Sequence, residues 1–135
     1  MKTKILFAAG AAALILVAAG CVETVTNKEA LGFPGARSYF EGNYERSVDQ
    51  VFDAAKTVLS RSGTLLSEST LHGQTNTVKT LEAKVNQRNI YVRVQSMTPT
   101  MTSLAVEARH PAGASDANLA HQLEKDIALA LVGTR

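Results

Sequence analysis

The sequence predicts an α+β domain: a two-layer sandwich in which a mostly antiparallel sheet carries two helices on one face, in the order β-α-β-β-β-β-α. Two stretches, residues 48–59 and 119–131, repeat apolar side chains at helical spacing. Between them, several stretches alternate apolar and polar residues, which is typical of strands with one buried face. The turns between these strands are short, and short turns join antiparallel neighbours. We assign this domain to residues 38–135 of the 135-residue chain.

The domain is predicted to open with a strand over residues 39–46, followed directly by a helix. Ser47 and Gln50 form an S-x-x-Q capping box, which satisfies N–H groups in the first helical turn. Gly63 is predicted to end the helix in a left-handed conformation. The apolar stripe of this helix consists of Val48, Val51, Phe52, Ala55, Val58 and Leu59.

Four further strands are predicted over residues 64–71, 77–85, 90–96 and 102–109, with turns at 72–76, 86–89 and 97–101. Alternation separates the side chains of the last three strands into two faces. The buried face is predicted to carry Leu81, Ala83, Val85, Ile90, Val92, Val94, Leu104, Val106 and Ala108. The solvent-facing side is predicted to carry Thr80, Glu82, Tyr91, Arg93, Gln95, Glu107 and Arg109.

The second helix is predicted after a break at residues 110–114, with either Ser115 or Asp116 as its cap. Gly133 is predicted to end it. Residues 128–132 are apolar on nearly every side, which favours burial over contact with a partner. The apolar stripe of this helix consists of Leu119, Ala120, Leu123, Ile127, Ala130 and Leu131.

The N-terminus has the organisation of a secretory signal. Lys2 and Lys4 form a basic head, and residues 5–19 contain no charged or polar side chain. A run of this length is shorter than the roughly 20 residues that a membrane-spanning helix needs, so a permanent transmembrane helix is the weaker alternative. We therefore predict a signal peptide over residues 1–20 and a tether over residues 21–37, which contains turn-forming glycines and a proline.

The sequence Val-Ala-Ala-Gly-Cys at residues 17–21 resembles a bacterial lipobox. The resemblance implies that the Cys21 thiol carries diacylglycerol and that its freed amine carries a fatty acid such as palmitate. Several acyl chains, at about 0.8 kcal/mol per buried CH₂, make a stable membrane anchor. Val22, in place of aspartate, implies the outer membrane with the domain facing the periplasm. The alternative is an ordinary secreted protein with an unmodified cysteine.

The pattern Y-x-x-S-V-x-x-V-F-x-A-A at residues 44–55, followed by L-x-x-x-G at 59–63, extends the resemblance. Together with the Cys21 leader, it resembles a family of small proteobacterial lipoproteins of unknown function, over about residues 40–133. Phe52 replaces a larger aromatic residue, and residues 86–88 replace a glycine-centred turn. The resemblance implies no catalytic residues.

Composition excludes several classes of protein. Without Lys2 and Lys4 the chain has 12 basic and 12 acidic residues, so bulk charge does not favour nucleic acid. Its single cysteine excludes an internal disulfide. The three histidines, His72, His110 and His121, have no partner at zinc-ligand spacing and are predicted to be solvated. Neither nucleotide-binding glycine motifs nor a G-x-S-x-G motif is present, so no metal, cofactor or catalytic residue is predicted.

The remaining candidate is an interaction face formed by Tyr91, Arg93, Glu107 and Arg109, because tyrosine and arginine are enriched at binding hot spots. The competing interpretation is that these charges form cross-strand ion pairs. We expect a non-enzymatic envelope module that binds another envelope protein. The alternative is a small-ligand or lipid carrier, which needs an apolar cavity of more than about 300 Å³ between helices and sheet. Catalysis is the least favoured hypothesis.

Overall fold

The computed structural model describes residues 20–22, 30–32 and 39–133. Most of the predicted signal peptide and tether therefore lies outside the described residues. Within the tether, β1 (Gly20–Val22) pairs antiparallel with β2 (Ala30–Gly32), and Cys21 lies opposite Leu31. No strands were predicted there, because three residues are too few to show alternation.

The domain contains a five-stranded antiparallel sheet. Its strands are β3 (Tyr39–Tyr44), β4 (Thr64–His72), β5 (Thr77–Val85), β6 (Arg88–Thr98) and β7 (Met101–Arg109). They lie in the order β3-β7-β6-β5-β4, so the first strand pairs with the last and β3 and β4 form the two edges. The helices α1 (Val48–Ser62) and α2 (Ala117–Gly133) contact the strands, which confirms the predicted two-layer α+β sandwich and its element order.

The predicted inner face of the sheet is confirmed. Its apolar residues are all nearly inaccessible to solvent, and they pack against the buried stripes of both helices. Burying one leucine or isoleucine contributes about 1.5–3 kcal/mol, so this interface is the main source of stability. Fully or almost fully buried members from the sheet and helices include Val51, Leu59, Leu81, Ile90, Val94, Leu104, Leu123 and Ile127.

The capping box of α1 is present as predicted, with the Ser47 hydroxyl accepting from the Gln50 backbone N–H. The prediction for Gly63 is wrong in its conformation. Its φ of −173° is extended rather than left-handed, and its N–H donates to the Leu59 carbonyl at 2.9 Å. Glycine is needed because a Cβ there would lie 2.1 Å from the Lys84 carbonyl oxygen.

The structure resolves the choice of cap for α2. The Asp116 carboxylate accepts from the Leu119 N–H at 3.2 Å, whereas Ser115 forms an isolated β-bridge with Arg109. The predicted burial of residues 128–132 is wrong at Leu129 and Val132, which are 65% and 66% exposed. These two side chains lie three positions apart on the helix surface that points away from the sheet.

All three predicted turns are shorter than expected, since the flanking strands are longer. The β5–β6 hairpin closes with only Asn86 and Gln87, both at positive φ, as a two-residue type I′ turn requires. The β6–β7 hairpin turns at Pro99 and Thr100, next to a β-bulge that contains Met97. No helix in the described part of the chain combines the length and apolarity needed to cross a membrane.

Candidate functional site

The four residues of the predicted interaction face lie together on the outer face of the sheet, the side opposite the helices. Strands β6 and β7 are adjacent, and Tyr91 lies directly opposite Glu107. Arg93 lies two residues further along β6, opposite Ala105, and Arg109 lies two residues further along β7. The alternation within each strand therefore brings all four side chains to one surface.

Arg109 joins three of these residues into one cluster. Its guanidinium donates two hydrogen bonds to the Glu107 carboxylate, Nε to Oε1 at 2.9 Å and Nη2 to Oε2 at 3.0 Å. The same guanidinium lies over the Tyr91 ring, with Cζ 5.4 Å from the ring centroid. Bidentate and cation–π contacts both restrict the arginine, so this cluster holds a fixed shape. We call Tyr91, Glu107 and Arg109 the outer-face cluster.

The predicted solvent exposure of Glu107 is wrong, because its side chain is 0% exposed. Its position in the sheet explains the burial: Tyr39 on β3 and Tyr91 on β6 lie directly opposite it on either side, and Arg109 bonds to its carboxylate. Alternation along the sequence predicts the face on which a residue lies but not what flanks it. The ion pair also runs within β7 rather than across strands, which differs from the cross-strand pairs considered above.

A second concave surface lies between α1 and the C-terminal end of α2, with a volume of about 450 Å³. We call it the interhelix groove. Its floor is apolar and its sides carry charged and polar groups from α1 and the preceding loop. That loop is fixed by Thr102, a buried residue whose hydroxyl donates to the Arg46 carbonyl at 2.8 Å. The groove is lined by Arg46, Gln50, Asp53, Ala54, Thr57, Arg61, Ala130, Leu131 and Gly133.

No sequence pattern predicted this groove. Its two walls come from residues 46–61 and 130–133, whose proximity depends on how α1 and α2 pack. The carrier hypothesis expected a cavity between the helices and the sheet. Side chains fill that interface, and Leu59, Ile90, Leu104 and Ile127 are all fully buried there. The groove is instead at the boundary between the helices.

Tyr44 and Glu124 form a pair that joins the edge strand β3 to α2. The Tyr44 hydroxyl donates to Glu124 Oε1, and both groups lie against Gly42, where a Cβ would come within 2.9 Å of each. Burial raises the pKa of Tyr44 above its usual value, and the hydrogen bond to Glu124 adds to the rise. The phenol therefore stays protonated at neutral pH and serves as a hydrogen-bond donor.

His72 and His121 are exposed and His110 is partly exposed, in agreement with the prediction that they are solvated, and each also has a polar or aromatic neighbour. His110 Nε2 lies 3.8 Å from Asp116 Oδ2, and His121 stacks at a tilt against Phe40 with ring centroids 5.0 Å apart. His72 Nδ1 lies 3.5 Å from the Thr77 hydroxyl. Among the described residues, no three histidine, cysteine or carboxylate side chains are grouped so that they could hold a metal ion.

Asp116 is the centre of a small polar network where β6, β7 and α2 meet. Arg88 Nε donates to Asp116 Oδ2 at 3.1 Å, while Asp116 Oδ1 caps α2 by accepting from the Leu119 N–H. The backbone N–H of Leu119 lowers the pKa of Asp116, and Arg88 lowers it further. This network connects secondary-structure elements, which is a structural role.

The chain matches no protein-family model and no curated protein. Among solved structures it is similar to the di-domain ARO/CYC protein StfQ from the steffimycin biosynthetic pathway, with 11% sequence identity and a TM-score of 0.33. The match covers 69% of this chain and 43% of that protein, so the chain spans less than half of its length. A similarity at this level supports no conclusion about function.

Proposed function

We propose that this protein is a bacterial lipoprotein, anchored in the outer membrane through acylated Cys21, whose periplasm-facing domain binds another envelope protein without catalysing a reaction. We also propose that it belongs with the small proteobacterial lipoproteins that its sequence resembles. The anchor is supported by the position of Cys21, the only cysteine, directly after an apolar run and a small residue.

The binding role is supported above all by the outer-face cluster. Glu107 is buried and holds Arg109, and Arg109 packs on Tyr91, so none of the three has to be ordered when a partner binds. Such pre-organisation reduces the entropic cost of association. Tyr91 and Arg93 stay partly accessible beside the cluster, and both residue types are common at binding hot spots.

A role without catalysis is supported by how the polar pairs of the domain are used. The Arg88–Asp116 pair joins the start of β6 to the start of α2, and the Tyr44–Glu124 pair joins β3 to α2. These groups connect elements of the fold, and each is occupied by its partner.

The anchor is tested by replacing Cys21 and fractionating the cells. Cys21→Ser should move the protein from the membrane fraction to the soluble periplasm, because no acyl chain can then be attached at residue 21. Val22→Asp is the matched variant: it should remain acylated but collect in the inner rather than the outer membrane. If the Cys21→Ser protein stays with the membranes as the unsubstituted protein does, the lipid anchor is wrong.

The binding face is tested by capture of envelope proteins on the purified full chain. Tyr91→Ala and Arg93→Ala should each weaken capture of the main partner by about tenfold or more, as expected for hot-spot residues. Lys125→Ala is the control, since Lys125 is exposed on α2, which packs on the opposite face of the sheet from the cluster. Capture that is equal for all three variants and the unsubstituted protein would exclude this face.

The interhelix groove favours a second candidate, a carrier for a small anionic amphiphile. Its volume falls in the range of ligand pockets, and Arg46 and Arg61 flank an apolar floor. Under this hypothesis, titration with a fluorescent fatty acid should show saturable binding that Arg61→Ala weakens and Tyr91→Ala leaves unchanged. Binding that responds equally to both substitutions, or does not saturate, would contradict a carrier role.

A further inference from the structure

Strand β4 forms an open edge of the sheet. It pairs with β5 on one side, and within the described residues no strand pairs with its other side. Eight of its nine residues are exposed, with Leu65 as the exception. Two of the exposed residues are leucines, Leu66 at 58% and Leu71 at 66%. A strand in this position presents unpaired backbone N–H and C=O groups to any extended chain that approaches.

The two edges of the sheet differ in how they are protected against pairing. The opposite edge, β3, has only six residues and carries Glu41 near its centre. Short length and a central charge both discourage added strands. The one carboxylate of β4, Glu68, is half-exposed and paired with Lys56 of α1 at 2.6 Å, so its charge opposes an added strand less than an unpaired carboxylate would. A bulge between Leu65 and Ser67 leaves the stretch 67–72 as the regular part of this edge.

We propose that two copies of this protein pair antiparallel through β4, about a two-fold axis at Thr70, to form a continuous ten-stranded sheet. A two-fold interface uses the same surface on both copies. In this register Thr70 lies opposite Thr70 of the second copy, Ser69 lies opposite Leu71, and Glu68 lies opposite His72. The pairing uses the regular part of β4 and covers Leu71.

Charge complementarity selects this register over its neighbours. An axis at Glu68 would place two carboxylates directly opposite each other, which destabilises a strand pair. An axis at Ser69 would place Glu68 opposite Thr70, where it meets no basic group. Only the axis at Thr70 places each Glu68 opposite an imidazole. One ring nitrogen of His72 lies near Thr77 in its own chain, and the other remains for the carboxylate.

This proposal does not depend on the lipid anchor or on the outer-face cluster. It concerns the edge of the sheet, and it can be tested on the full chain purified in detergent whether or not Cys21 is acylated. The position of the two-fold axis gives a geometric test, because only residues close to the axis lie within disulfide distance of their own copies.

The test is disulfide cross-linking of single-cysteine substitutions. Directly opposite residues in an antiparallel pair have Cα atoms about 4.5–5.5 Å apart, which allows a disulfide, so Thr70→Cys should cross-link under mild oxidation. Ser69 is offset from its copy by two residues along the strand, about 7–8 Å away, so Ser69→Cys should cross-link about tenfold less. Thr57→Cys, exposed on α1, is the control for random collisions, and the unsubstituted chain measures any background from Cys21.

A charge exchange tests the same register by sedimentation equilibrium. His72→Glu should raise the dimer dissociation constant about tenfold, since it places two carboxylates opposite each other. Adding Glu68→Lys to His72→Glu should restore dimerisation. His121→Glu is the matched control, because it makes the same change on an exposed histidine of α2.

Preferential cross-linking by Thr70→Cys, with weakening by His72→Glu and recovery in the double variant, would support the proposed dimer. Equal cross-linking at positions 70 and 57, cross-linking that is strongest at position 69, or a monomeric unsubstituted protein at every concentration would overturn it.

Discussion

At the scale of single residues, the fold depends on positions where two backbone segments lie too close together for a side chain to fit between them. At Gly63 a Cβ would lie 2.1 Å from the carbonyl oxygen of Lys84 and 3.0 Å from a methyl group of Val85. The first neighbour is backbone in β5 and cannot rotate away. The glycine therefore allows α1 to end directly against the sheet, so that β4 can begin at the next residue.

We expect Gly63→Ala to lower the free energy of unfolding by about 1–3 kcal/mol, since the added methyl group forces α1 away from β5. Urea denaturation of the purified protein measures this change. Gly133→Ala provides the control, because a Cβ at Gly133 meets no atom within 4 Å and should change stability by less than about 0.5 kcal/mol. If the two variants have the same free energy of unfolding, the domain accommodates the methyl group beside Lys84 without losing stability, and the prediction is wrong.

At the scale of elements, the start of α2 is held by Asp116, which makes three kinds of contact. Its backbone N–H donates to the Ala108 carbonyl at 2.8 Å, its Oδ1 caps the helix, and its Oδ2 accepts from Arg88. This residue therefore connects β7, β6 and α2. A sequence pattern predicts that a Ser or Asp here begins a helix, but the structure is needed to show which one does.

Asp116→Ala should lower the free energy of unfolding by about 1–2 kcal/mol at neutral pH, as the loss of a helix cap does. The folded protein lowers the pKa of Asp116 below its usual value of about 3.9. Its contribution is therefore present above about pH 4 and is lost as the pH falls through the folded-state pKa. The stability difference between unsubstituted protein and variant should shrink below pH 4 in urea titrations.

Asp53→Ala serves as the control for that titration. Asp53 is exposed in the middle of α1, so its removal should change the free energy of unfolding by less than about 0.5 kcal/mol. A stability difference for Asp116→Ala that stays constant from pH 7 to pH 3 would contradict the role of its charge.

At the scale of the whole molecule, the Tyr44–Glu124 pair joins the first strand of the domain to its last helix. The two residues are 80 positions apart in the chain, and their hydrogen bond is partly buried. Such a contact is lost when either end of the domain detaches. It therefore reports on the integrity of the complete sandwich rather than of one hairpin.

Tyr44→Phe should lower the free energy of unfolding by about 1–2 kcal/mol at pH 7, because Glu124 loses its donor. Burial raises the pKa of Tyr44 in the folded state, so its stabilising effect is present below pH 10 and is lost as the pH rises above the unfolded value of about 10. Stability of the unsubstituted protein should fall more steeply above pH 10 than that of Tyr44→Phe.

Tyr39→Phe, a change of the same type on the same strand, provides the comparison. It should leave stability at pH 7 within about 0.5 kcal/mol of the unsubstituted protein. If Tyr44→Phe and Tyr39→Phe have the same stability at pH 7 and the same slope above pH 10, the hydrogen bond to Glu124 does not stabilise the domain.

Sequence patterns predicted the local structure of this molecule well, and its long-range contacts much less. Alternation at Ile90, Val92 and Val94 identifies a strand and its buried face, and the S-x-x-Q box locates the start of α1. The burial of Glu107 depends on Tyr39, a residue 68 positions earlier that lies opposite it only because β3 pairs with β7.

The same reasoning applies to the candidate sites. The residues of the predicted interaction face could be identified because Tyr91 and Arg93 alternate within one strand, and Glu107 and Arg109 within the next. Their mutual contacts require the register of β6 against β7, which a single sequence does not contain. No pattern in the sequence predicts the interhelix groove, since its two walls come from opposite ends of the domain.

The pairing of β3 with β7 also determines when this domain can form during synthesis. Tyr39–Tyr44 is made before its partner strand Met101–Arg109, so in a nascent chain this first strand of the domain cannot pair with β7 until β7 has been translated. Contacts between distant positions slow folding, because a long loop must close before they are gained. The five-stranded sheet of the domain can therefore be completed only after β7 has been made.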